Sequence, residues 1–96
     1  MSPIGPYWSI AVIGQYYENL GQWQRAITLY NRCVEQDTLA ENFYRHLMHC
    51  HLQLGNHAEA LSVYRRCREM LSVVLGVKPA PETDALYQKA LAQPGT

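Results

Sequence analysis

The chain has 96 residues, 48% of them apolar, which suits one small packed domain. Lys plus Arg and Asp plus Glu number 8 each, so the formal net charge is zero. That balance argues against a nucleic-acid surface, which needs a basic excess, and against a Lys-rich membrane-surface helix. No apolar run approaches the ~20 residues of a membrane span, and Met1–Pro6 lacks the basic and apolar regions of a secretory signal.

Residues 1–6, with two prolines and a glycine, read as a short extended lead-in, and 7–96 as one domain. The first predicted helix runs from about Tyr7 to Leu20, with Ile10, Ile13, Tyr17 and Leu20 on one stripe at helical period. Gly14 lies beside that stripe. A mid-helix glycine costs ~1 kcal/mol against alanine, so a close approach by the next helix is expected there. Gly21 ends this helix in the left-handed conformation.

The second helix is predicted from Trp23 to Glu35, on a stripe of Trp23, Ala26, Ile27, Tyr30 and Cys33. Thr38-x-x-Glu41 has the form of a capping box and opens the third helix, from about Leu39 to Leu54. Phe43, Tyr44, Leu47, Met48, Cys50 and His51 are available for burial on it. Gly55 stops it, and Asn56 is the expected N-cap of the fourth helix. The fourth runs from His57 to Leu75, with Ala60, Leu61, Tyr64, Cys67, Met70, Leu71 and Val74 as its stripe. Nothing breaks it before Gly76. Pro79 and Pro81 make the following connector rigid, and Pro81 suits the first position of a fifth helix ending near Ala92.

Leu20-Gly21, Ala26, Tyr30, Arg32 and Cys33 recur as Leu54-Gly55, Ala60, Tyr64, Arg66 and Cys67, at a constant offset of 34 residues. A period of that size marks a helix-turn-helix repeat, each unit burying its apolar face on its neighbour. The expected fold is all-α: a superhelical stack of two antiparallel helical hairpins plus a C-terminal capping helix.

Ile10-x2-Ile13-Gly14-x2-Tyr17 with Ala26-x3-Tyr30, and Tyr44-x2-Leu47-Met48-x2-His51 with Ala60-x3-Tyr64, resemble the tetratricopeptide repeat. Thr38 and Ser72 stand where that pattern closes on proline. A closer resemblance lies in Arg45-x-Leu47-Met48, Leu54-Gly55-x2-Ala58-Glu59-Ala60-Leu61-x2-Tyr64-Arg65-Arg66-Cys67-Arg68, and Leu75-Gly76-Val77-x-Pro79-x-Pro81-Glu82-Thr83-x2-Leu86-Tyr87. These strings are similar to the bacterial transcriptional activator domain, the helical-repeat module of antibiotic regulatory proteins and related signalling regulators. The resemblance covers residues 7–92. It implies a fragment of a longer bacterial transcriptional regulator, in which a separate domain binds DNA. It also implies serine where this chain has Ala80, so the fifth helix is expected to lack its N-cap, at a cost of ~1 kcal/mol.

No paired carboxylates, Gly-rich phosphate loop or Ser-His-Asp arrangement appears, so no enzymatic activity and no cofactor are expected. His46 and Cys50 at i, i+4 could hold a soft metal, but no second ligand pair accompanies them, and the histidines read as structural or solvated. Cys33 and Cys67 occupy one repeat position on the packed face and read as small hydrophobes. Three spread cysteines fit a reducing, cytoplasmic setting. Arg65, Arg66 and Arg68 alternate with Glu59 and Glu69, as on a solvated face.

A concave groove lined by the first helix of each unit is the expected partner surface, through Trp8, Gln15, Glu18, Asn19, Asn42, Arg45, His49 and Gln53. At the open N-terminal end, Tyr7, Val12 and Tyr16, with Trp8, would face a second copy or another part of the parent protein. The expected function is a non-catalytic protein-interaction or oligomerisation module. Direct nucleic-acid binding, disfavoured by the charge balance, and small-molecule sensing are the alternatives.

Overall fold

The computed structural model describes residues 7–92, with side chains from Ser9 onward. Its helices are α1 (Tyr7–Asn19), α2 (Trp23–Gln36), α3 (Glu41–Gln53), α4 (His57–Met70) and α5 (Pro81–Ala92), with a π-helical turn at Leu71–Leu75 continuing α4. Each helix packs on the next in sequence, and α5 also reaches back to α3. The chain is therefore all-α, a stack of two helical hairpins closed by α5. Its smallest extent, 18 Å, is close to two helix diameters, as two layers of helices require.

The repeat period reappears as repeated geometry. α1 and α3 end alike: Gly21 and Gly55 take φ of +73° and +76°. Gln22 N–H bonds Tyr17 C=O at 2.9 Å, and Asn56 N–H bonds His51 C=O at 2.8 Å. Each glycine thereby closes its helix and turns the chain into the hairpin without the penalty a Cβ would carry. Ala26, Ala60, Cys33 and Cys67 are fully buried, and Tyr30 and Tyr64 nearly so. Gly14 explains itself through Tyr30. A Cβ there would meet the Tyr30 ring at 3.2 Å, so the glycine lets α2 lay an aromatic side chain flat against α1.

Several expectations fail locally. The third helix starts at Glu41; its N-cap is Ala40, and no side chain caps it. Thr38 is exposed, and its carbonyl accepts from the Tyr44 hydroxyl at 2.8 Å. Asn56 stands at the N-cap of α4 but makes no side-chain cap bond. The predicted stripe of α1 divides: Ile10 and Tyr17 are half-buried, whereas Ile13 and Leu20 are exposed. The cause is that α1 has one neighbouring helix, while α3 lies between α2 and α4. Val74, also assigned to a buried stripe, is exposed on the π-helical turn beside Val73 and Leu75. There the widened helix runs past the end of the packed layer.

α5 is held by a contact that its own sequence does not supply. Glu41 Oε2 accepts the Ala80 N–H at 2.6 Å and the Thr83 hydroxyl. Glu41 thus does from α3 what a capping-box glutamate does inside its own helix. It answers the missing serine at Ala80. Thr83, fully buried, also accepts from Arg45 Nη1 at 3.1 Å.

Candidate interaction surfaces

Side chains of α1, α3 and α5 meet on one side of the stack. Glu18, Asn42, Arg45, His46, His49 and Leu86 line a cavity of about 350 Å³ there. A second cavity of about 330 Å³ adjoins it, lined by Gln15 among others and sharing Asn42 and His46. Four of the predicted groove residues, Glu18, Asn42, Arg45 and His49, are thus brought to one cavity, with Gln15 next to it. Asn19 is exposed and accepts from Gln15 Nε2 at 3.1 Å. Gln53 is exposed and lines neither cavity. The side chains of Tyr7 and Trp8 lie outside the described residues.

Glu18 organises this face. Its Oε1 accepts from the Tyr30 hydroxyl at 2.9 Å and lies 2.9 Å from His46 Nδ1. Its Oε2 is 3.9 Å from His49 Nε2. One carboxylate therefore ties α1 to α2 and α3. The Tyr30 and His46 rings stack at 4.7 Å, and Trp23 meets His49 edge-on at 5.6 Å. Burial, and then the bond to Glu18, pushes the Tyr30 hydroxyl far above its ordinary pKa, so it stays a donor to that carboxylate.

His46 and Leu86 belong to this face, and the buried Thr83 holds Arg45 from beneath it; sequence reasoning placed none of the three there. For His46 a signal existed: it follows Asn42 by four residues and precedes His49 by three, the spacing of one helical face. Leu86 and Thr83 carried none, because their place depends on where the Pro79–Pro81 connector delivers α5.

The opposite surface of α1 is a second candidate. Ile13, Tyr16 and Leu20 are exposed along it, and Val12, also exposed, stands at its border with the second cavity, which it lines. One repeat later, Ile13 and Tyr16 become Leu47 and Cys50. Ile13 is 47% and Tyr16 60% exposed, while Leu47 and Cys50 are 0%. The difference is α2, which covers that side of α3.

The thiols offer no nucleophile. All three cysteines are buried, and burial pushes Cys50 and Cys67 up to about 12 and raises Cys33. A thiol so shifted is not a thiolate at neutral pH. Among the described residues, no group of three or more His, Cys, Asp or Glu could hold a metal ion, and no helix is long and apolar enough to cross a membrane.

No curated protein and no solved structure matches the chain. Residues 11–91 match the family of the bacterial transcriptional activator domain. That span covers every described helix but the first turn of α1 and the last residue of α5, and it contains both repeats and the Leu75–Tyr87 string. The chain belongs to the bacterial transcriptional activator domain family, and is a domain of transcriptional regulators.

Proposed function

We propose that this domain is a non-catalytic protein-interaction module, which carries contacts between parts of a transcriptional regulator and leaves DNA to another domain. The observation that supports this is the uncovered side of α1. Ile13 and Tyr16 keep their apolar surface in water at positions whose repeat equivalents, Leu47 and Cys50, are sealed by a neighbouring helix, and Val12 and Leu20 are exposed beside them. Burying such a stripe stabilises an assembly at ~25 cal/mol per Å², and repeat units gain most of their stability from such neighbour contacts. The partner is a second copy of the chain or a helix from the rest of the regulator. Zero net charge favours this reading over direct nucleic-acid contact.

Photo-crosslinking tests it. A benzoylphenylalanine replacing Tyr16 is expected to trap a protein adduct in cells, whereas the same group replacing Arg65, on the solvated side of α4, is not. Protein adducts of equal yield from both positions, or adducts to DNA from position 16, would overturn the reading.

A further inference from the structure

Val73, Val74, Leu75 and Val77 all stand exposed where α4 runs out through its π-helical turn. Val73 is 75% exposed, although Leu71, two residues earlier, is buried. Single exposed apolar residues are ordinary, whereas a contiguous group of them marks a contact surface. Two hollows flank Val73. One, of about 210 Å³, is lined by Arg66, Glu69, Met70, Val73 and Val74. The other, of about 570 Å³, shares Glu69 and Val73 and adds Arg68, Val77 and Lys78 among others. We infer that this surface takes an amphipathic helix of a partner protein, with apolar side chains in the two hollows and carboxylates on either flank. The inference rests on the reading of the domain as a protein-interaction module, but it uses α4 and its π-helical turn rather than the outer side of α1.

The charge at the rim selects the partner. Arg66, Arg68 and Lys78 stand there against one carboxylate, Glu69, in a chain whose formal net charge is zero. All four side chains are exposed. Among the described residues none of them forms an ion pair, and Arg68 only leans over the Tyr64 ring at 5.8 Å. Each hollow thus has a cation at its edge without a counter-charge, and a partner with acidic flanks matches that potential. Val73 forms a ridge between the hollows. Side chains three or four residues apart on a helix are neighbours and can straddle such a ridge. An extended segment draws its affinity from main-chain pairing with a sheet edge, which the described helices do not offer. An anionic lipid surface matches less well, because Glu69 stands at both hollows. A helix sets apolar side chains beside Glu69 and its carboxylates beyond, whereas a uniformly negative surface meets Glu69 head-on.

The test uses the full 96-residue chain, methyl-labelled, titrated with blocked helical peptides of roughly four turns. Both peptides carry leucines in one stripe at helical period; one flanks the stripe with glutamates and the other with glutamines. The glutamate peptide is expected to shift the methyl resonances of Val73, Val74 and Val77. It is expected to bind about threefold or more tightly than the glutamine peptide at low salt, and the difference should shrink at high salt. The double variant Arg66→Gln, Lys78→Gln is expected to erase that difference, and Val73→Ser to weaken both peptides about threefold or more. The three replaced side chains are exposed, so the variants should keep the helical circular dichroism of the parent. Equal binding of the two peptides, absence of binding by either, shifts confined to Val12 and Ile13, or unchanged affinity in Val73→Ser overturns the inference. So does co-sedimentation with phosphatidylglycerol vesicles that Val73→Ser abolishes, which would assign the patch to lipid. Arg65 lines neither hollow, so the crosslinking comparison of positions 16 and 65 stands whatever the outcome, and the two readings fail separately.

Discussion

Glu41 opens α3, yet its carboxylate accepts the hydroxyl of Thr83, 42 residues further on and fully buried. The same oxygen takes the Ala80 N–H. A local capping pattern in the sequence is thereby diverted into the joint that fastens the last helix to the stack.

Removing this joint should loosen α5 before anything else. Thr83→Val keeps the volume but strips Glu41 and Arg45 of a shared partner. Leaving such groups unsatisfied costs about 1–3 kcal/mol. Urea unfolding should show a loss of that size, and amide exchange should rise in α5 more than in α2. Uniform acceleration across all helices would show that α5 does not depend on Glu41.

Gly14→Ala sets two effects against each other. Alanine gains ~1 kcal/mol of helix propensity, but its Cβ would lie 3.2 Å from the Tyr30 ring. That ring is pinned by its bond to Glu18 and its stack on His46. Overpacking against a pinned group typically costs about 1–3 kcal/mol, so the variant should melt lower. A higher Tm would mean that the ring slides without losing Glu18.

The thiols should be silent in the folded state. With Cys50 and Cys67 pushed up to about 12 by burial and Cys33 also raised, a thiol reagent at neutral pH should label the native protein slowly. In denaturant all three should react at once. Fast native labelling of any of them would contradict the burial.

Acid should weaken the fold partly through His51. Burial lowers its pKa below the ordinary 6.5, with Glu59 opposing the shift weakly. The unfolded chain therefore binds this proton at a higher pH than the folded one. The stabilisation is complete above pH 6.5 and is lost as the pH falls from there through the folded pKa. His51→Gln should flatten the stability profile in that window, relative to the parent chain, in pH-stepped urea melts. Parallel profiles would assign the acid sensitivity to other groups.

Much of the architecture was legible because it repeats. Gly21 and Gly55, Ala26 and Ala60, and Cys33 and Cys67 name the same places twice, and a helical period with its stop residues is a local property. Four of the groove residues on α1 and α3 could be placed together for the same reason. What escaped were the contacts of distant segments: Leu86 at the cavity, the buried Thr83 behind Arg45, and the role of Glu41, which short-range capping rules assign to its own helix.

The amino-acid order by itself determined that there are helices, roughly where they end, and that they stack in a fixed register, because backbone conformation and apolar periodicity are settled within a few residues. Only the tertiary structure decided which side of each helix is covered. Ile13 and Leu47 are equivalent in sequence and opposite in exposure, since one has a neighbouring helix and the other does not. The same holds for Arg45: its hydrogen bond to Thr83 exists because α5 comes back across α3, a matter of chain path that no local pattern encodes.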